Sequence, residues 1–281
     1  MASTAPGHND AVPPPGLCSL VASYAGRCQP SVPFPADSWR RALDGSRPGI
    51  TRFLRDDRYT RPDGNGRRTV TRAAIRCVCA DIDRQNPDDV LAAFILVMAW
   101  GNGTRAAFRG IPNTKRAMSH PGVHEVLANA AQALRGDYSI ERAYTDFSLP
   151  GIGQAFFTKW FAFAGYLPGR PWQPLILDSR VYRTLNETLR VTTIDMAGTN
   201  LWAARYLAYV GHMHDWAQFI TSNGCCAVDA ERLEWIFFAH NGEPLPQACK
   251  AQTQPPCPGS LSQPPCCTLG EPLPRLGAGD H

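Results

Sequence analysis

Two side chains in the middle of the chain have the chemistry of a reactive pair. Lys159 is the single charged residue in the apolar run Ala155–Ala164, and an amine in apolar surroundings loses its proton more readily because desolvation disfavours the ammonium. A neutral amine can attack an electrophilic carbon and form a Schiff base. Asp178 follows a Pro-containing loop at the predicted N-cap of another helix. A carboxylate fixed there can stabilise a cationic sugar or orient a nucleophile.

Each of the two residues also has an ordinary explanation. A lysine beside apolar residues usually extends its amine to solvent at the edge of a domain. An aspartate in the sequence Leu177-Asp178-Ser179-Arg180 caps a helix whether or not it takes part in catalysis. The helix cap and the catalytic carboxylate are compatible roles for Asp178.

A glycine turn lies directly before the helix that carries Lys159. In the sequence Leu-Pro-Gly-Ile-Gly at 149–153, the proline fixes one φ angle and the glycines leave no side chain in the way. We expect the amides of Gly151, Gly153 and Gln154 to point outward at a helix N-terminus, which is an anion-binding position. The turn therefore predicts a phosphate site, although an ordinary helix–helix turn has the same pattern.

The composition makes each lysine notable. The chain has 281 residues, of which 44% are hydrophobic and 19% charged, which suffices for a sizeable core. Only Lys115, Lys159 and Lys250 among the 28 basic residues are lysines. A preference for arginine is typical of a GC-rich genome, and a lysine in such a chain offers an amine that can lose its proton, as arginine cannot.

Positive charge is concentrated upstream of these motifs. The segment from Arg40 to Arg76 contains eleven arginines against four aspartates. Such a segment either contacts a polyanion such as nucleic acid or forms a solvated surface.

The ten cysteines predict neither a disulfide framework nor a metal site. No secretory hydrophobic region follows Met1, so reduced thiols in a cytoplasmic protein are the simplest account. The spacing of the cysteines fits no zinc or iron–sulfur pattern, and we expect no metal and no cofactor. The apolar run Val90–Trp100 is too short to span a membrane, so no membrane partner is expected.

The hydrophobic periodicity predicts an all-α fold with a pocket between two helical lobes. Residues 1–16 and 244–281 are rich in proline and are expected to be disordered, which leaves one helical domain at 17–243. No strand pattern of convincing length is present.

Local signals predict individual elements of this domain. Asn86-Pro87 is a helix start, and the helix from Asp88 to Trp100 is apolar nearly all round, as expected for a central helix. We expect a short helix at Gly49–Arg58, a turn at Arg61–Arg68 and a connecting segment at Pro112–Pro121.

The turn, the lysine and the aspartate together resemble the helix-hairpin-helix DNA glycosylases, most closely their 8-oxoguanine-glycosylase-like branch. The family has Leu-Pro-Gly-(Val/Ile)-Gly, then a lysine on the next helix, then an aspartate that starts another helix after a Pro-containing loop. The family usually places the lysine two residues after the last glycine, where this chain has Ala155. Either the hairpin of this chain is offset or Lys159 is a near match; the spacing from Lys159 to Asp178 fits the family and favours the offset.

The resemblance implies an enzyme that flips a modified nucleotide out of double-stranded DNA and excises its base, leaving an abasic site. Lys159 would attack C1′ of the sugar, with or without a nick in the strand, and Asp178 would stabilise the developing positive charge. The DNA contacts implied are those of Gly151, Gly153, Gln154 and Arg180. The expected base pocket contains Trp100, Asn102 and Trp160, although each tryptophan is also a typical core residue.

Several alternatives remain at this stage. The substrate is either oxidised guanine or a hypermodified phage base such as glucosylated hydroxymethylcytosine, which would make the protein an antiviral factor. A second hypothesis is a non-catalytic helix-hairpin-helix protein that only binds DNA. A third is a helical interaction protein whose Pro/Cys-rich tail recruits a partner. We expect a monomer.

Overall fold

Helices make up most of the computed structural model, which describes residues 12–45, 47–136 and 140–245. In chain order the α-helices are α1 (Leu17–Ser23), α2 (Ala36–Leu43), α3 (Arg72–Asp81), α4 (Pro87–Asn102), α5 (Ile111–Met118), α6 (Val123–Arg135), α7 (Ile140–Asp146), α8 (Gln154–Ala164), α9 (Ser179–Arg183), α10 (Thr193–Ala197), α11 (Trp202–Ser222) and α12 (Ala230–His240). Short 3₁₀ turns lie at Arg52–Leu54 and Gly103–Arg105, and π-helical turns lie at Ala106–Gly110 and Thr184–Thr188. The mainly helical fold class is confirmed.

Helix α4 is the centre of the core. Asn86 caps its first turn by accepting a hydrogen bond from the Asp88 amide, and Pro87 occupies the first turn without losing a needed donor. Every residue from Val90 to Trp100 is buried. The apolar character on all sides of this helix therefore reflects neighbours on all sides, as the sequence predicts.

A small antiparallel sheet was not expected from the sequence. Its strands are β1 (Val32–Phe34), β2 (Thr60–Pro62) and β3 (Arg68–Val70), in the order β1-β3-β2. The turn predicted at Arg61–Arg68 is the hairpin between β2 and β3, with Asp63 accepting hydrogen bonds from backbone amides inside it. Three-residue strands are too short to show an alternating pattern in the sequence.

Two local expectations are wrong. The helix expected at Gly49–Arg58 is reduced to the single 3₁₀ turn at Arg52–Leu54. The connection expected at Pro112–Pro121 begins inside α5, because Pro112 occupies the first turn of that helix, where its missing amide costs nothing.

The expected disordered ends, 1–16 and 244–281, fall largely outside the described residues. The described part forms one compact unit that extends to Leu245. Gly16 lies against Leu245, whose Cδ1 would be 2.5 Å from a Cβ at Gly16. The packed domain therefore extends slightly past the boundaries that composition suggests.

One helical segment is long and apolar enough to cross a membrane by length and composition. It spans Pro87–Met118, because α4 continues through the two short turns into α5, and 67% of its most apolar window is buried inside the protein. The sequence expectation considered only Val90–Trp100, which is shorter. Core packing accounts for the apolar side chains of α4.

Candidate active site

Helices α7 and α8 and the glycine turn between them form a helix-hairpin-helix unit. Gly151 has a φ of 84°, and a Cβ at this position would lie 3.2 Å from the carbonyl oxygen of Asn113 in α5. Only glycine meets both conditions without strain. Gly153 is the N-cap of α8 and makes no side-chain capping bond, and a Cβ there would meet no atom within 4 Å. The N-terminus of α8 is therefore open to an approaching group.

Lys159 is buried on α8, with 5% of its surface exposed. Its Nζ donates hydrogen bonds to the Ala155 carbonyl at 2.7 Å and to Asp178 Oδ2 at 3.2 Å. The Phe156 ring lies beside it, with its centroid 5.3 Å from Nζ. Lys159 therefore points into the protein and does not extend its amine to solvent, as a lysine beside apolar residues usually does.

The bond from Nζ to the Ala155 carbonyl bears on the difference from the family pattern. Side chains on a helix lean toward its N-terminus, so residues four apart share a face. Lys159 reaches back one turn to the level of Ala155, where the family has its lysine. A lysine placed four residues later in the sequence therefore delivers its amine to the region beside Ala155.

The two carboxylate oxygens of Asp178 have different hydrogen-bond partners. Oδ1 caps α9 by accepting hydrogen bonds from the amides of Arg180 at 3.0 Å and Val181 at 3.3 Å. Oδ2 faces Lys159 at 3.2 Å. The cap fixes the carboxylate so that its other oxygen stays directed at the amine.

Two tyrosines of α11 hold the extended segment that leads into Asp178. Tyr206 donates to the Leu175 carbonyl at 2.7 Å, and Tyr209 donates to the Ile176 carbonyl at 2.8 Å. Burial raises the pKa of both phenols well above their ordinary value of 10.0. Both hydroxyls therefore remain donors throughout the physiological pH range.

A buried glutamate of α12 holds the same segment from its amide side. Glu234, only 1% exposed, accepts from the Ile176 amide at 3.0 Å and from the guanidinium of Arg72 at 2.8 and 3.1 Å. On α8, Thr158 accepts from the Leu177 amide at 3.2 Å. Helices α8, α11 and α12 thus converge on the three residues before Asp178.

These supporting residues are absent from the sequence prediction. Tyr206 and Tyr209 lie three apart on α11, which resembles ordinary aromatic core packing. The clearest signal is Glu234, because it is a charged residue inside the apolar stretch Leu233–Phe237. A carboxylate in such a position needs a buried partner, but the sequence does not say which.

The residues expected in the base pocket do not all lie near the reactive pair. Trp160 is 1% exposed, donates from Nε1 to the Leu127 carbonyl at 3.0 Å and packs edge-on against Phe94. Trp160 is therefore packed in the core, and a role for it in a base pocket stays a prediction. It points toward α4 and α6, away from the face that carries Lys159.

Trp100 and Asn102 lie at the end of α4. Trp100 packs edge-on against Phe163, with ring centroids 5.1 Å apart, and Arg72 lies over its ring. Asn102 donates to the Met98 carbonyl at 2.8 Å and packs against Gly110. The side-chain amide of Asn102 thus joins the end of α4 to Gly110, at the end of the turn that follows. A role of Asn102 in a base pocket stays a prediction.

The two remaining DNA contacts expected from the sequence lie on either side of the hairpin. Gln154 donates to the hydroxyl of Tyr182 at 3.2 Å, which connects the first residue of α8 to α9. Arg180 is half-buried, with its guanidinium 4.3 Å from the centroid of the Phe238 ring. A DNA contact by Arg180 stays a prediction.

The basic segment Arg40–Arg76 is largely compensated. Eight of its eleven arginines form ion pairs. The pairs are Arg47–Asp88, Arg52–Asp89, Arg55–Asp37, Arg58–Asp56, Arg67–Asp63, Arg68–Asp57, Arg72–Glu234 and Arg76–Glu231. Five of the eight acidic partners come from outside the segment, so the local charge count overstates its net positive charge.

Other features of the described residues lie apart from the reactive pair. A cavity of about 390 Å³ between α6 and α7 is lined by residues such as Asn129 and Arg142 and includes neither Lys159 nor Asp178. Within the described ranges, no group of three or more His, Cys, Asp or Glu residues is arranged to hold a metal ion. The buried Lys159 and Asp178 remain the candidate reactive pair.

Comparison with known proteins gives one match. The sequence model of the family described as "Putative 8-oxoguanine DNA glycosylase OGG-like protein" matches residues 27–238. No curated protein and no solved structure matches the chain. The matched region contains the hairpin, the reactive pair and Glu234, which supports the segment before Asp178.

Proposed function

Because the chain belongs to the OGG-like family of 8-oxoguanine DNA glycosylases, we propose that it excises a modified base from DNA with Lys159 as the nucleophile. The proposal rests on the buried contact of 3.2 Å between Lys159 Nζ and Asp178 Oδ2. A nucleophile beside a group that accepts its proton and is itself held by a third element is the general arrangement for covalent catalysis.

The proposed reaction begins when Nζ passes a proton to Asp178 and attacks C1′ of a flipped nucleotide. The C1′–N bond breaks and its electron pair leaves with the base, which takes up the proton from Asp178 and so restores the carboxylate. Opening of the sugar ring then gives an imine between Nζ and C1′. Water hydrolyses this imine to free Lys159 and an abasic site, whereas loss of the 3′ phosphate by β-elimination before hydrolysis nicks the strand.

Asp178 has a second task in this scheme. Positive charge grows on the sugar as the base departs, and a fixed carboxylate in a water-poor site stabilises that charge more than water does. The capping bonds from Arg180 and Val181 hold the carboxylate in place, so little reorganisation is needed when the charge appears.

The hairpin supports the proposal of DNA as the partner. The N-terminus of α8 is capped by Gly153 without a side chain, and helix N-termini bind phosphate through their free amides. Because Lys159 lies on the same helix, a phosphate held there would place the DNA backbone at a fixed position along α8.

Oxidised guanine is the first candidate substrate, because it is what the family name implies. A hypermodified phage base such as glucosylated hydroxymethylcytosine is the second candidate, and excising it would give the protein an antiviral role in the cytoplasm. Duplexes carrying each base, scored for abasic sites, distinguish the two.

The test of the mechanism is trapping of the imine with borohydride. We expect the parent protein to become covalently joined to DNA that contains its substrate, and Lys159→Ala and Lys159→Arg to lose this adduct. Lys159→Arg keeps the positive charge beside Asp178 and so controls for folding. Lys115→Arg is the matched control, because it removes the amine of an exposed lysine on α5, and it should trap DNA like the parent.

Other outcomes would replace the proposal. Base release that survives in Lys159→Ala but is lost in Asp178→Asn indicates attack by water. Release by both variants at the parent's rate shows that the site is elsewhere. DNA binding without release from any duplex supports the non-catalytic hypothesis, and no DNA binding at low salt supports the helical interaction protein.

A further inference from the structure

Phe108 is almost fully exposed. Its exposed fraction is 90%, the highest among the large hydrophobic side chains of the described residues. One exposed apolar residue is unremarkable on its own. Phe108, however, lies on the π-helical turn Ala106–Gly110, a wide turn that occurs frequently at functional sites. Its neighbours Arg105 and Arg109 are also exposed.

The turn is built to project outward. Ala106 and Gly110 are buried, whereas Ala107, Phe108 and Arg109 between them are exposed. Gly110 lies so close to Asn102 that a Cβ there would be 2.4 Å from Asn102 Cγ. The end of the turn is thus held against the end of α4, and the three residues Ala107–Arg109 face solvent.

The position of the turn connects it to the proposed catalytic site. Before the turn, Gly101 contacts the Lys159 side chain, with Lys159 Cδ 2.7 Å from a Cβ built on Gly101. After the turn, Asn113 contacts Gly151 of the hairpin. The turn therefore connects the reactive lysine with the proposed phosphate site.

The charge around Phe108 suits a polyanion. Arg109 lies on the turn, Arg105 lies directly before it, and Lys115 and Arg116 are exposed on α5. The sequence contains no Asp or Glu from Val90 to His124. Among the described residues, these four cations pair with no acidic side chain, in contrast to the compensated arginines of the basic segment.

We propose that this turn is a DNA wedge, in which the Phe108 ring enters the base stack beside the flipped nucleotide. Arg105 and Arg109 bind the phosphates on either side. The inference rests on the proposed function, because flipping leaves a gap in the duplex that a wedge fills. Apolar side chains inserted between base steps unstack the duplex, and aromatic rings stack on bases of any sequence.

The wedge predicts a difference between duplex and single strand. Because a single strand has no gap to fill, Phe108→Ala should slow base release from an 8-oxoguanine duplex about tenfold, the equivalent of one stacking contact, and leave release from a single strand nearly unchanged. The matched control is Phe219→Ala, which removes an exposed phenylalanine of α11 that is 44% exposed, and it should behave like the parent. Phe108→Trp should retain activity.

A second readout does not require catalysis. 2-Aminopurine placed next to the modified base becomes brighter when it is unstacked, and this signal should appear with the Lys159→Ala variant and disappear when Phe108→Ala is added. The double variant Arg105→Gln/Arg109→Gln should reduce the slope of log binding constant against log salt by about 2, since each phosphate contact contributes about 1.

The outcomes distinguish a failure of the wedge proposal from a failure of the proposed glycosylase activity. Equal loss on duplex and single strand, or no loss on either, overturns the wedge, while borohydride trapping reports independently on the glycosylase. A protein that releases no base but still brightens 2-aminopurine in a Phe108-dependent manner supports the wedge in a binding protein. Phe108-dependent binding to vesicles of anionic phospholipid, with unchanged DNA behaviour, makes the turn a membrane contact and overturns the wedge.

Discussion

Gly101 and Lys159 are in direct contact across α4 and α8. A Cβ built on Gly101 would be 2.7 Å from Lys159 Cδ and 3.2 Å from Cε. Glycine within a helix is less favourable than alanine by about 1 kcal/mol. Gly101 therefore lowers the stability of the last turn of α4 but leaves space for the methylene chain of Lys159. The end of α4 therefore sets where the amine points.

Gly101→Ala should separate activity from stability. The new methyl group displaces a flexible side chain, so the free energy of unfolding should change by less than about 1 kcal/mol, with part of the cost offset by the better helix former. The amine moves with its stem, and base release should fall about tenfold to a hundredfold. Single-turnover kinetics and urea unfolding measure the two effects.

Gly45→Ala is the control for that change. Gly45 lies after α2, and a Cβ there would meet no atom within 4 Å. Base release should be unchanged in this variant. Parent-like release in Gly101→Ala as well would show that the contact does not position the amine.

Glu234→Gln should destabilise the domain and slow catalysis together. The substitution keeps the shape but leaves the Arg72 guanidinium with only the longer pair to Glu231 at 3.9 Å. It also turns an amide group toward donors, and breaking a buried pair costs about 3 kcal/mol. Urea unfolding measures the loss. Asp37→Asn breaks the half-exposed pair with Arg55 and should cost less than about 1 kcal/mol; equal losses would mean that Glu234 is not a key support.

Acid should destabilise the fold through His214. Burial lowers the pKa of His214 from its ordinary value of 6.5, and its Nε2 accepts from the Gln173 amide at 3.0 Å. Because the unfolded chain binds the proton more tightly, the stability contribution is present above pH 6.5 and is lost as the pH falls toward the lower folded pKa. Melting temperatures measured across this window should fall less steeply in His214→Gln. An identical slope in parent and variant would assign the effect to another group.

Oxidation should join α1 to the loop after α11. The sulfurs of Cys18 and Cys225 are 3.5 Å apart, and oxidised glutathione can take up their two electrons and two protons as it is reduced to two thiols. Burial raises the pKa of Cys18, so the exchange should be faster at higher pH, where more thiolate is present. Peptide mapping without reductant should find Cys18 linked to Cys225, and Cys225→Ser should prevent the link. A link to Cys226 in the parent would contradict this pairing.

The parts of the site that the sequence predicts are those set by neighbouring residues. The glycine turn, the N-cap at Asp178 and the start of α4 at Asn86 follow from backbone conformation and capping, which act over a few residues. Lys159 could be identified because it is a lone charge in an apolar helix. That Nζ meets Asp178 required the fold, since it depends on how α8 packs against the segment before α9.

The contacts that the sequence did not predict arise from tertiary packing. Trp160 was expected in the base pocket because it is an aromatic residue near the two helices, but its indole is directed toward Leu127. Five of the eight paired arginines of the basic segment find acids outside it, and the support of Ile176 by Glu234 spans 58 residues. Local patterns carry no information about such partners.

The residues that hold the segment before Asp178 are also synthesised after it. The reactive pair lies in the middle of the chain, and Tyr206, Tyr209 and Glu234 leave the ribosome after it. A nascent chain that ends before α12 contains both reactive side chains without the contacts that align them. Under the proposed mechanism, a chain that stops before α12 lacks the support that Glu234 gives to the segment before Asp178, and we expect it to release no base.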